Sequence, residues 1–124
     1  MRLGNVDVPR DTCQLVGNIL GHLGDKWSVL IIVLLRERPM RYSELERQIE
    51  TVSKKMLTTT LRHLERDGFI SRAVTPTIPP RVDYQLSELG REVMEPLDVL
   101  ARWALRNSDR IVEARSRYDS DHEP

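Results

Sequence analysis

The stretch Ser53-Lys54-Lys55-Met56-Leu57-Thr58-Thr59-Thr60-Leu61-Arg62-His63-Leu64-Glu65-Arg66-Asp67-Gly68 decides the fold. Leu57, Leu61 and Leu64 recur at helical spacing and share one face. At about 100° per residue, Lys55, Thr58, Thr59, Arg62 and Arg66 fall around the opposite side, with Lys54 at its edge. One side of this helix suits a core. The other offers cations for phosphates and short hydroxyls for base edges, which fits a DNA major groove. A plain solvated amphipathic helix carries similar residues, so the flanking segments have to separate the two readings. Ser53 is a natural N-cap and Gly68 a natural left-handed terminator, which sets the helix bounds.

Upstream, Asp11-Thr12-Cys13-Gln14 has the form of a capping box and predicts a short first helix from Thr12 to about Leu20, ended by Gly21 and Gly24. Asp25 is expected to cap a second helix. Val29, Leu30, Ile32, Val33 and Leu34 make that helix apolar nearly all round, as befits a central core helix, and Pro39 stops it. Met40-Arg41-Tyr42 reads as a short extended piece. Ser43-Glu44-Leu45-Glu46 is a second capping box, with Ser43 as the cap of a third helix ending near Ile49. A tight turn at Thr51-Val52 leads into the helix of residues 53–68.

Downstream the period changes. Residues 69–74 and 81–86 suit two strands, and Thr75-Pro76-Thr77-Ile78-Pro79-Pro80 between them forms a stiff loop. Ser87 is expected to cap a last long helix with Leu89, Val93, Leu97, Leu100, Ala101 and Ala104 at helical spacing. Pro96 is expected to kink or split it. The order helix, helix, short strand, helix, helix, hairpin, long helix is that of a winged helix-turn-helix, an α+β fold that is mostly α. Three spans follow: a flexible arm over 1–11, the winged-helix domain with its outer helices over 12–106, and a charged helix end with a frayed tail over 107–124.

The arrangement assigns Lys54, Lys55, Thr58, Thr59, Arg62 and Arg66 to the groove and its edges. Arg72 and Arg81 on the hairpin are expected to reach the backbone or the minor groove. Arg41, Ser43 and the first amides of the third helix are placed to hold a phosphate.

The chain has 124 residues, enough for one domain with a modest core. Its longest apolar run, Val29 to Leu35, is too short to span a membrane, and the N-terminus has no signal core. With the single Cys13, which allows no internal disulfide, this predicts a cytoplasmic protein without a membrane partner. The 19 Lys plus Arg balance the 19 Asp plus Glu, so no global steering toward nucleic acid is expected. Positive charge is instead local. Residues 53–66 carry Lys54, Lys55, Arg62 and Arg66 against Glu65, and residues 71–82 carry Arg72 and Arg81 with no acid.

Several segments together are similar to the HxlR-type winged-helix regulators within the MarR-like superfamily. Gly24-Asp25-Lys26-Trp27-Ser28-Val29-Leu30-Ile31-Ile32 resembles their Gly-x-Lys-Trp segment, and Arg41-Tyr42-Ser43-Glu44-Leu45 their Arg-Phe-Ser-Glu-Leu. Ser53 to Thr58 followed by Leu61 to Gly68 resembles their recognition helix. Pro79 to Gly90 resembles their wing strand and the start of their last helix. The resemblance spans roughly residues 12–104 and implies a transcriptional regulator, most simply a repressor, acting as a homodimer on double-stranded DNA. It also implies that the first and last helices build the dimer contact. The residues support a dimer independently: Leu97, Leu100, Trp103, Ala104 and Leu105 offer more apolar surface than one short bundle covers. A two-fold dimer would read a palindromic operator.

Cys13 is a candidate redox sensor. It sits in a helix's first turn, where the dipole favours a thiolate, and some members of the resembling family sense oxidants or electrophiles through an N-terminal cysteine. The pair Cys13-Gln14 here departs from their Cys-Pro, and a half-buried small residue at a dimer contact is the other reading. Trp27 and Trp103 are candidates for lining a small-molecule effector pocket, although tryptophans more often anchor packing. His22, His63 and His122 are scattered, with no metal-ligand spacing. No phosphate loop or nucleophile elbow occurs, so neither catalysis nor a cofactor is expected. The competing function is a winged helix that binds protein rather than DNA, which fold alone does not exclude.

Overall fold

The computed structural model describes residues 2–123. They form two compact units, one up to Glu92 and one from Val93.

In the first unit, β1 (Arg2–Leu3) and β2 (Val6–Asp7) pair antiparallel around Gly4, whose φ of 58° makes the turn. The expected arm therefore contains a two-stranded hairpin. Helix α1 (Arg10–Leu23) starts two residues before the predicted Thr12, with Pro9 rather than Asp11 as its N-cap. It runs through Gly21 and stops at Gly24, whose N–H bonds back to the Leu20 carbonyl.

Helix α2 (Lys26–Glu37) is capped as expected, the Asp25 carboxylate accepting from Trp27 N–H at 2.8 Å. Only one face of it is buried: Ser28, Ile31, Ile32 and Leu35. Leu30 and Val33 remain 44% and 40% exposed, so α2 is the core helix expected but buries one face rather than its whole circumference. An unbroken apolar run hides which face packs, because periodicity then carries no contrast.

Helix α3 (Tyr42–Gln48) begins one residue before Ser43, and its N-cap is Arg41. Glu44, at the third helical position, reaches back to accept the Arg41 N–H at 3.2 Å, the carboxylate half of a capping box. Helix α4 (Lys54–Arg66) is capped by Ser53, whose Oγ accepts from Met56 N–H at 3.1 Å. Its C-terminus is a complete Schellman motif. Gly68, at φ 83°, donates to the Glu65 carbonyl and Phe69 N–H donates to that of Leu64.

Strands β3 (Ile70–Thr75) and β4 (Arg81–Leu86) pair antiparallel from Ile70 opposite Leu86 to Thr75 opposite Arg81. Met40 adds a third short rung by exchanging both backbone hydrogen bonds with Tyr84, as its extended reading anticipates. The core gathers Ile31, Ile32 and Leu35 of α2 with Leu45 of α3, Leu57, Leu61 and Leu64 of α4, and Phe69, Ile70 and Leu86 around the hairpin. Ser87 caps α5 (Glu88–Arg106), accepting from Gly90 N–H at 3.0 Å while donating to the Gly68 carbonyl at 2.6 Å.

The second unit holds the remainder of α5 and α6 (Ser108–Asp121). Pro96 does not split α5. Pro96 removes the N–H that would donate to the Glu92 carbonyl, yet the helix continues through it. The break falls instead at Asn107, and α6 stays helical past Ser116, where fraying was predicted. Local i,i+4 pairs, Glu113 with Arg117 at 3.7 Å and the stacked rings of Tyr118 and His122, accompany this continuity.

Candidate nucleic-acid interface

Leu57, Leu61 and Leu64 are all at most 2% exposed, which fastens α4 to the core and sets which side faces outward. Lys54, Lys55, Arg62 and Arg66 are all exposed, and Thr58 and Thr59 are half-buried on its flanks. Among the described residues, no carboxylate lies within ion-pair distance of these four cations. They form a stripe of positive charge along one helix.

The hairpin arginines are held differently. Arg72 Nε lies 3.0 Å from Glu65 Oε2, which ties the wing to the end of α4. Arg81 bonds Asp83 through Nε at 3.0 Å and through Nη2 at 3.3 Å, and this partner holds its guanidinium still more firmly protonated. Both remain about half exposed, so the unused N–H groups can meet phosphates. The two arginines counted over residues 71–82 are nonetheless each paired with a carboxylate, one on α4 and one on the wing. Both acids, Glu65 and Asp83, lie outside that window.

Arg41 and Ser43 are exposed at the start of α3. Between α3, α4 and the wing lies a cavity of about 320 Å³, lined by Tyr42, Thr58, Arg62, Glu65, Arg72 and Tyr84 among others. Burial pushes the Tyr84 phenol above its usual value, and nearby Arg72 opposes that. Tyr42 donates to the Lys54 carbonyl at 3.1 Å and lies 3.2 Å from Thr58 Oγ1. Sequence reasoning did not single out Tyr42, because its partners become neighbours only when α3 and α4 meet.

It also left the histidines apart. His22 and His63 stack with ring centroids 4.2 Å apart, and His22 Nδ1 lies 2.6 Å from Asp67 Oδ2. This joins the end of α1 to the C-terminal turn of α4. His63 and Asp67, four apart on one helix, were the visible half of the cluster. Among the described residues no group of three or more potential ligands could hold a metal ion.

Cys13 is the fourth residue of α1. Its N–H donates to the Pro9 carbonyl, and its half-buried thiol lies 3.4 Å from the Val8 carbonyl oxygen. Trp27, half-buried in the first unit, lies under the Lys26 ammonium at 4.5 Å. Trp103, in the second unit, lines an open apolar groove of about 680 Å³ with Glu95, Pro96, Val99 and Leu100.

A leucine-anchored helix with a cationic outer face, preceded by a short helix and a turn and followed by a two-stranded wing, is a winged helix-turn-helix of the DNA-binding type. Comparisons with known proteins agree. The HxlR-like helix-turn-helix family matches residues 22–112. The HTH-type transcriptional regulator YtfH of Escherichia coli is 43% identical over 97 residues, covering 78% of this chain and 77% of that one. The solved YtfH of Salmonella typhimurium superposes with a TM-score of 0.70 at 39% identity, covering 82% of this chain and 90% of that one. The redox regulator HypR in its oxidized form gives 0.66 at 32% identity, covering 74% and 95%.

The chain belongs to the HxlR-like helix-turn-helix family of transcriptional regulators, a family of DNA-binding proteins rather than enzymes. No single helix among the described residues is long and apolar enough to cross a membrane.

Proposed function

We propose that this regulator acts in the cytoplasm as a homodimeric repressor that reads a palindromic operator with α4. The observation that carries the reading is the outer face of α4, where four exposed cations lie without carboxylate partners among the described residues. Lys55, Thr58, Thr59 and Arg62 contact the groove. Lys54 and Arg66 flank them at its edges. Arg41, Ser43, Arg72 and Arg81 hold the backbone or minor groove.

A dimer is supported by apolar surface within each unit. Val99, Leu100, Trp103 and Leu105 of α5 are 54%, 61%, 47% and 76% exposed, and Leu15 and Leu20 of α1 are 59% and 61% exposed. A second copy of the chain is the occupant we assign to these faces. Effector control is assigned to Cys13, supported by its place in the first turn of α1, or to a small apolar molecule in the groove beside Trp103.

The test is selection of duplexes from a random pool, with the mass of the free protein measured by sedimentation. The expected result is a dimer and an inverted repeat with half-sites about one helical turn apart. A reporter under that operator is silenced, and oxidant releases the wild type but not Cys13→Ser. A monomer that enriches no sequence overturns the reading.

A further inference from the structure

The phenol oxygen of Tyr42 has two neighbours, the Lys54 carbonyl oxygen at 3.1 Å and Thr58 Oγ1 at 3.2 Å. A carbonyl can only accept, and a phenol has one proton to give. The Tyr42 proton therefore goes to the Lys54 carbonyl. The remaining contact is satisfied only if the Thr58 hydroxyl donates its own proton to the phenol oxygen. Thr58 is then left with lone pairs alone for any further partner.

We propose that Tyr42 is a specificity-determining positioning residue. It holds Thr58 as a hydrogen-bond acceptor, so α4 selects, on the strand Thr58 faces, a base with a major-groove amino group. That base is adenine, through N6, or cytosine, through N4. A threonine free to rotate would accept an amino group or donate to the keto oxygen of guanine or thymine equally well. The inference rests on the reading that α4 enters the groove, and it adds the chemical class of base recognised there.

The test uses the full chain on the duplex it selects from a random pool. Single amino groups are removed from that duplex (purine for adenine, pyrimidin-2-one for cytosine). Single keto oxygens are removed likewise (2-aminopurine for guanine, 5-methylpyrimidin-2-one for thymine). In each half-site, one amino deletion is expected to weaken wild-type binding about three- to tenfold, the scale of one neutral hydrogen bond. The same deletion costs Thr58→Val nothing further, and Thr58→Ser keeps the wild-type response.

Tyr42→Phe, checked by thermal melting to be folded, still binds and still weakens on that deletion, because its Thr58 accepts as before, but exchanging the amino-bearing base for a keto-bearing one at that position costs it less than about twofold, against about tenfold for the wild type. The responses at other positions stay unchanged, which a merely structural role for Tyr42 would not produce. The inference is overturned if the group coupled to Thr58 is a keto oxygen, if no group is coupled to it, or if Tyr42→Phe discriminates against the keto-bearing base as the wild type does. Failure of the wild type to enrich any duplex is a separate result and sinks the groove reading itself.

Discussion

Glu44 holds the entrance of the helix-turn-helix with two hydrogen bonds. Its carboxylate accepts from Arg38 Nη1 at 2.7 Å and from the Arg41 backbone N–H at 3.2 Å. The Arg38 bond first, then the Arg41 amide, hold its pKa below the ordinary value of 4.5. A carboxylate whose folded pKa is depressed stabilises the fold above its unfolded pKa, and that contribution is lost as pH falls through the folded value. The melting temperature of the wild type should exceed that of Glu44→Gln at neutral pH. The gap should close as pH drops below the ordinary 4.5. A gap that persists unchanged in acid contradicts this role. At this scale the sequence shows which residues are charged but not which are engaged. Glu44 was legible as a first-turn acid, whereas the pairing of Arg72 with Glu65 and of Arg81 with Asp83 depends on how the wing closes. The Tyr42 hydroxyl is hidden for the same reason.

Helix α5 leaves the wing through a passage that admits only glycine. A Cβ on Gly90 would run into the Phe69 carbonyl oxygen and lie 2.6 Å from Leu86 Cδ1. Neither a backbone oxygen nor a buried leucine yields cheaply, so Gly90→Ala should cost roughly 1–3 kcal/mol or more in denaturant unfolding. An unchanged midpoint would show that α5 does not pack this closely. The elements whose ends carry their own chemistry were legible. Ser53 and Gly68 bound α4, Asp25 opens α2, Ser87 opens α5, and prolines interrupt the hairpin. Where the chemistry was duplicated or masked, the reading slipped. Ser43 looked like a cap, but Glu44 serves the amide of Arg41, so α3 starts at Tyr42. Asp11 looked like a cap, but Pro9 already supplies the first turn of α1. Pro96 looked like a break, yet α5 continues through it to Arg106.

Over the whole molecule, a chain of zero formal net charge places four exposed cations, Lys54, Lys55, Arg62 and Arg66, along one helix. Attraction to DNA is then a local property of α4, and salt should weaken binding according to the few phosphates that helix and its neighbours reach. The division at Glu92 leaves α4 in the first unit, and the second unit carries the exposed apolar residues of α5 proposed above to meet a second copy. Exposed leucines and a tryptophan on α5 were legible as surplus apolar surface. Their assignment to a dimer rests on their exposure and on the family resemblance.

The central claim, that the outer face of α4 reads DNA, is tested most directly by the affinity of Arg62→Ala for the selected operator and for random duplex at one salt concentration. Loss of a base contact should cost roughly 1–3 kcal/mol on the operator and much less on random duplex, so the specificity ratio falls. Operator affinity equal to the wild type's, in a variant that melts normally, would contradict the account.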